Sequence, residues 1–330
     1  MRALRSHVVG GPETLTLDEI ADPATVEGEV LIAVHAAALN YPDVLLIQDL
    51  YQMRPARPFS PGSEVAGVVE AVGAGVTAFK PGDRVIGLTA WGGLADKILV
   101  PQSGCIAIPG CVPFDEAAAL MVTYATSHYA LRDQAAIQPG ETLLVLGASG
   151  GVGIAAIQLG KACGAKVIAA VSSDAKAELV RSLGADAAVI YPADLTDRAA
   201  ARAFTDAIKA EGNIDVVLDP VGGPYTEPAF RALGWQGRYL VIGFTAGIPS
   251  LPLNLTLLKG ARVIGVFYGD FSRREPEKRL AYLGEIAALH AAGKIRPHIS
   301  QHLPLARAPE GLAALANRQA TGKIIIEFQP

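Results

Sequence analysis

Leu143-Leu144-Val145-Leu146-Gly147-Ala148-Ser149-Gly150-Gly151-Val152-Gly153 is the stretch that decides how this chain folds. An apolar run of strand length enters a glycine-rich turn, and an apolar run with helical period follows from Val152 to Ala162. A strand, a tight turn and a helix N-terminus present unpaired backbone N–H groups and the positive end of a helix dipole. That arrangement holds a dinucleotide pyrophosphate. The spacing is Gly147-x-x-Gly150-x-x-Gly153, with Ser149 where the usual fingerprint carries its middle glycine. Glycine-rich turns also occur for structural reasons alone, but here the flanking strand and helix are both readable and favour the nucleotide. Gly147, Ser149, Gly150, Gly151, Val152 and Gly153 are the expected contacts.

Outward from this turn the texture is β–α alternation. Strands are expected over 142–146, 166–171, 187–191, 214–219, 238–243 and 262–268, and helices over 151–163, 174–183, 196–211 and 224–233. Near-continuous apolar strands separated by such helices argue for a doubly wound parallel sheet. Residues 1 to about 100 read differently, as an all-β module of short apolar runs punctuated by Pro61-Gly62, Pro81-Gly82-Asp83 and Trp91-Gly92-Gly93. A helical connector is expected over 115–131, its first turn holding Asp115 and Glu116, which suit the helix dipole. The final segment holds a helix over 275–292 and a closing strand over 323–328. It is too short for its own core and is expected to return to the β module. The fold class is therefore α/β, with a β-rich domain over 1–120 and 265–330 and a dinucleotide-binding domain over 121–264.

Composition narrows the function. At 330 residues, two domains are the natural division. Hydrophobic residues make up 51% and charged residues 18%, enough apolar material for large cores. The net charge is −4 and no Lys/Arg cluster interleaves with aromatics, which argues against nucleic acid as a partner. The first residues, Met1-Arg2-Ala3-Leu4-Arg5-Ser6-His7, lack the apolar core of a signal peptide, and no apolar run reaches the roughly 18 residues of a membrane span. Three cysteines make no disulfide framework, so a reducing cytoplasm is the expected location.

The second strand of such a sheet ends at Val171-Ser172-Ser173-Asp174-Ala175-Lys176. An NAD site carries an acid there to accept from the ribose 2′-hydroxyl. Here two serines can donate to a 2′-phosphate and Lys176 can pair with it as a point charge, which favours NADPH over NADH. Asp174 would repel a phosphate if aimed at it, and is otherwise a helix cap or first-turn acid. Metal spacing is absent: Cys105 and Cys111 lie too far apart for a Cys-x₂-Cys pair, and His298 and His302 sit beside prolines. The serine of Gly147-Ala148-Ser149-Gly150-Gly151 belongs to the phosphate turn and makes no nucleophile elbow.

Ala38-Leu39-Asn40-Tyr41-Pro42-Asp43 is one of several motifs that act together. The others are Phe59-Ser60-Pro61-Gly62-Ser63-Glu64-Val65-Ala66-Gly67-Val68-Val69, Pro81-Gly82-Asp83-Arg84-Val85, the Gly147–Gly153 turn, Ser182-Leu183-Gly184-Ala185-Asp186 and Gly322-Lys323-Ile324. Over essentially the whole chain the sequence resembles the medium-chain dehydrogenase/reductase superfamily, and within it the zinc-independent quinone oxidoreductases, the zeta-crystallin-like branch. The resemblance implies a GroES-like β-rich catalytic domain around an inserted Rossmann domain. In zinc-using relatives a cysteine takes the place of Asn40 and a histidine that of Ser63, so no zinc is expected here.

By the same resemblance Asn40 and Asp43 line the cleft near the nicotinamide, and Tyr51 contacts substrate at its mouth. Thr126, Ser172, Ser173, Lys176 and Tyr191 would contact the cofactor. Phe244, Thr245 and Phe267 would flank its nicotinamide half, and Arg318 would close over it. Tyr191 has a plain alternative as a packing residue, and Arg318 as a surface charge. Where many relatives have Thr-Tyr after the aspartate, this chain has Val44-Leu45, which implies a more apolar pocket. The implied activity is hydride transfer from NADPH to a quinone or to the activated C=C of an enone, in a homodimer paired through the edge near residues 262–268. Two alternatives stand beside it: an enoyl thioester reductase, and a non-catalytic NADPH-binding structural or regulatory protein.

Overall fold

The computed structural model describes residues 1–192 and 194–328. These form two compact units: Met1–Met121 with the described residues from Ile299 on, and Val122–His298. Among the described residues no helix is long and apolar enough to cross a membrane.

The chain opens with β1 (Arg2–Ser6) antiparallel to β2 (Leu15–Glu19). Then come β3 (Glu29–Ala38), α1 (Tyr41–Ile47), β4 (Glu64–Val72), β5 (Arg84–Leu88), β6 (Lys97–Pro101), β7 (Cys105–Ala107) and α2 (Phe114–Ala118). The second unit carries α3 (Met121–His128), β8 (Thr142–Val145), α4 (Gly151–Ala162), β9 (Lys166–Val171), α5 (Asp174–Ser182), β10 (Ala187–Ile190) and α6 (Arg198–Ala210). It continues with β11 (Ile214–Asp219), α7 (Thr226–Ala232), β12 (Leu233–Val241), α8 (Asn254–Lys259), β13 (Arg262–Gly265), α9 (Tyr268–Arg274) and α10 (Pro276–Ala291). Finally β14 (Ile299–Pro304), α11 (Ala308–Ala316) and β15 (Lys323–Glu327) return to the first unit.

In the first unit the sheet order is β14-β15-β3-β4-β5-β7, with β6 also pairing β3. Val30, Ile32 and Val34 alternate inward along β3 and pack with Val65, Val69, Val85, Ile324 and Ile326. The expectation of an all-β module is corrected here by α1. Asn40 is extended at the N-cap, Pro42 falls in the first turn, and the Asp43 carboxylate reaches back to the Asn40 N–H. Those are helix-start signals, and they outweigh the β-branched residue behind them.

The second unit is built on a six-stranded sheet ordered β10-β9-β8-β11-β12-β13, parallel throughout. The order reverses between β8 and β11, and ligands bind beyond the carboxyl ends of the strands at such a reversal. Leu144, Ile168, Val217 and Tyr239 are core residues from four adjacent strands. The strand expected over 262–268 stops at Gly265, and residues 265–298 belong to this unit rather than to the β-rich domain. The reason is packing: β13 pairs with β12, and Phe271 of α9 stacks on Tyr129 at 4.1 Å between ring centres. Helical periodicity shows that a helix has an apolar face, but not which core it covers. The last two residues of the expected 265–330 return lie outside the described residues.

Candidate functional site

Gly147 leaves the end of β8 with φ +57°, a left-handed conformation that glycine adopts without strain. Its carbonyl accepts from the Gly150 N–H at 3.0 Å, closing the turn, and Gly150 caps α4. A Cβ on Gly153 would lie 2.6 Å from both the Ala148 Cα and the Gly147 carbonyl oxygen, so only glycine lets the first turn of α4 approach β8. Gly151, Val152 and Gly153 supply the first amides of a twelve-residue helix, which have no partner within it. Ser149 is buried in the turn, and Ser127 of α3 donates to the Val152 carbonyl at 3.0 Å, pinning the helix start. The neighbouring Thr126 donates to the Val122 carbonyl within its own helix. The expected pyrophosphate contacts are thus gathered in one turn at the sheet's reversal point.

One strand over, at the end of β9, the Lys176 ammonium donates to the Ser172 hydroxyl at 3.2 Å. Ser173 caps α5, its oxygen accepting from the Lys176 N–H while its hydroxyl hydrogen stays available. Asp174 lies in the first turn of α5. The strand end therefore offers donors and a cation together.

The turns after β11 and β12 are woven into a platform. Buried Asp219 accepts from the Val221 and Gly222 N–H groups, each at 2.8 Å, from Thr226 at 2.9 Å and from Tyr239 at 2.7 Å. Gly223 donates to the Gly247 carbonyl, and Thr245 donates through its hydroxyl to Pro220. Val221 lies where a side chain on Gly147 would sit, so platform and phosphate turn touch. Phe244 on this platform and Phe267 at the start of α9 are both half exposed. Tyr191 sits edge-on against Phe204 and Tyr225, at 5.9 and 4.8 Å between ring centres. Arg318 follows α11 in the first unit, exposed and at φ 57°. Asp219 was not foreseen; its signal was an acid closing the apolar run Val216-Val217-Leu218 before Pro220.

The first unit holds the other expected residues. In the register of β15 on β3, Ile325 faces Ala38 and Leu39 donates to the Ile324 carbonyl, which brings Lys323 opposite Asn40. On the other side of β3, Val65 of β4 faces Ala37, which sets Glu64 beside them. Three neighbouring strands thus assemble one buried polar cluster. The Lys323 Nζ donates to Asn40 Oδ1 at 2.6 Å and lies 3.5 Å from Glu64 Oε2. Asn40 Nδ2 donates to the Ala38 carbonyl at 3.1 Å.

Asp43 accepts from the Asn40 N–H at 2.8 Å and the Gly62 N–H at 3.1 Å. Burial pushes its carboxyl up to about 6, against the pull of those N–H groups and of Lys323. Burial and the Asp43 charge push the Tyr51 hydroxyl up, so it stays protonated, and burial draws the Lys323 ammonium down. Asp43 thus bonds Asn40 and acts on Tyr51 through its charge. Glu64 and Lys323 were not singled out from the sequence, although each is a charge at the head of a largely apolar strand.

A reversed-order parallel sheet with a glycine turn, joined to an inserted-into GroES-like sheet, defines a medium-chain dehydrogenase/reductase. The comparisons agree. Residues 26–110 match the alcohol dehydrogenase GroES-like domain and residues 151–283 the zinc-binding dehydrogenase domain. The chain is 35% identical over 317 residues to quinone oxidoreductase-like protein 2 of Bos taurus, covering 96% of this chain and 89% of that one. The Escherichia coli quinone oxidoreductase complexed with NADPH superimposes with a TM-score of 0.90 at 27% identity, over 99% and 100% of the two chains. The CurK enoyl reductase does so at 0.87 and 27%, over 99% of each. The chain belongs to the quinone oxidoreductase family.

The second domain's family description names zinc, and the residues here do not fit one. Asn40 and Glu64 already face a buried ammonium, so a metal would meet a fixed cation among its ligands. Among the described residues no group of three or more His, Cys, Asp or Glu side chains is placed to hold a metal ion.

Proposed function

We propose that this chain is an NADPH-dependent oxidoreductase that reduces a quinone or the activated C=C of an α,β-unsaturated carbonyl, without zinc. The observation that carries the cofactor choice is the end of β9, where Ser172, Ser173 and Lys176 stand in place of the acid that would receive a ribose hydroxyl. Gly153 and the first amides of α4 are shaped for the pyrophosphate, and the platform of Val221, Phe244 and Thr245 for the nicotinamide half. Arg318 would add a contact from the first unit.

NADPH supplies a hydride when bound. On an enone that hydride would go to the β-carbon and leave charge on the oxygen, with the α-proton coming from solvent or a tyrosine. On a quinone, hydride and proton together give the hydroquinone. The chain's own contribution would be to meet the developing oxyanion with the Asn40 amide and with the Tyr51 hydroxyl, which burial keeps protonated. Asp43 fixes the Asn40 backbone by accepting its N–H.

The enoyl thioester reading keeps the same chemistry and differs only in what the pocket admits; likeness to CurK enoyl reductase supports it. Oxidation of NADPH and NADH, followed at the nicotinamide absorbance against quinones, enones and enoyl thioesters, decides among these readings. Turnover with NADPH, much faster than with NADH, is expected. Cofactor binding with no turnover of any acceptor would favour the non-catalytic alternative.

A homodimer and a cytoplasmic location complete the proposal. β13 is the edge of its sheet and its Val263 is exposed, as are Leu253, Leu257 and Leu258 just before it in the chain, Leu257 at 80%. An apolar edge of this kind is covered most simply by its own copy. A monomeric mass in light scattering would refute the pairing.

A further inference from the structure

Lysine is almost never fully buried unless it is paired, and Lys323 is 4% exposed. Its pairing is unusual. The shorter contact is to the neutral Asn40 oxygen at 2.6 Å, and the carboxylate of Glu64 stands further off at 3.5 Å. An ammonium that served only to neutralise Glu64 would reverse those distances.

Resting on the oxidoreductase reading, we propose that Lys323 is a positioning residue that turns the Asn40 carboxamide into a strong hydrogen-bond donor for the substrate oxygen. The carboxamide has a fixed orientation, because Oδ1 receives the ammonium and one Nδ2 hydrogen goes to the Ala38 carbonyl. That leaves the second Nδ2 hydrogen for a ligand. Charge drawn toward Oδ1 by the ammonium makes the amide hydrogens more positive, and such polarisation is strong where the surroundings are dry. Glu64 lies 3.5 Å from the ammonium, while the Asp43 carboxylate is occupied by the Asn40 and Gly62 N–H groups. The chain thereby places a fixed positive charge one amide away from the reacting oxygen. A metal does the same task in zinc enzymes by direct contact.

The test separates this role from simple charge pairing. Lys323→Met alone takes the ammonium away from a fully buried Glu64, so the decisive variant is the double substitution K323M/E64Q, which removes both charges. It is expected to recover the wild-type melting temperature while kcat stays at least about tenfold lower, with KM for NADPH unchanged. With NADP⁺ present it should also bind 4-nitrophenolate, an oxyanion probe, at least about tenfold more weakly. Wild-type kcat and wild-type phenolate affinity in the double variant would overturn the proposal, leaving Lys323 a partner for Glu64 and nothing more.

Absence of wild-type turnover with every acceptor would overturn the oxidoreductase reading, and the phenolate comparison would still decide the role of Lys323. If the double variant does not fold, the amide proton resonances of Asn40 in the wild-type chain, identified by their loss in N40D, carry the test. Downfield displacement from the ordinary asparagine range supports polarisation. An ordinary shift refutes it.

Discussion

The phosphate turn and the Lys323 cluster do related work by opposite means. The turn is made of backbone and glycine within seven consecutive residues, from Gly147 to Gly153. The cluster is made of side chains drawn from positions 40, 43, 64 and 323, brought together only when β15, β3 and β4 pair. A site built from backbone depends on close approach and carries little charge of its own beyond a helix dipole. A site built from buried ionisable groups depends on their mutual electrostatics. The two should therefore fail under different perturbations: the cluster under pH, the turn under a single added methyl.

The largest expected effect is on the cluster. The native Asp43 carboxyl is pushed up to about 6, whereas in the unfolded chain it ionises near 3.8. As pH rises, the unfolded state releases its proton first, so the native state loses ground through that window. At 1.36 kcal/mol per unit, the Asp43 contribution falls by about 3 kcal/mol between pH 4 and somewhat above 6, and is level beyond. The check is urea unfolding of the wild-type chain and D43N side by side across this range. The wild-type chain should lose stability relative to D43N as pH rises. A constant difference would mean that Asp43 ionises normally and that the cluster is not dry.

The turn should ignore that pH change and respond to Gly153→Ala. The new methyl would sit 2.6 Å from backbone atoms on both Gly147 and Ala148, which cannot move aside as a side-chain tip can. Overpacking of this kind costs about 1–3 kcal/mol, spent here on opening the first turn of α4. NADPH affinity, read by titration of its fluorescence, should fall by about tenfold to a hundredfold. Unchanged affinity would show that the pyrophosphate does not use the close approach.

The same contrast explains what the sequence made legible. A local motif carries its own geometry, so the phosphate turn, its strand and its helix were readable with their boundaries nearly intact. The Ser172, Ser173 and Lys176 grouping was readable for the same reason, being confined to one strand end. Asn40 and Asp43 could be singled out as candidates, but α1 was hidden because the signals that start it fit within four residues. Glu64 and Lys323 stood in plain view inside quoted motifs. Their meaning depends on strand register, which alternation along a single strand does not reveal. Residues 265–298 were misassigned on similar grounds, since the stack of Phe271 on Tyr129 joins segments more than a hundred residues apart.

Lys176→Ala gives the smallest effect and the sharpest comparison, because it tests a side chain acting beside a backbone site. The ammonium is near the surface and bonded to Ser172, so solvent screens much of its charge and the serine donors remain when it is lost. Removal should weaken NADPH by about tenfold, near 1.4 kcal/mol, and leave NADH unchanged. Raising ionic strength should erode the wild-type preference for NADPH toward that of the variant, since the same screening acts on both cation and phosphate. Equal losses for the two cofactors would locate Lys176 in general support of α5 rather than at the 2′-phosphate. A loss confined to NADPH would place the discrimination at the end of β9, one strand away from the turn that holds either cofactor equally well.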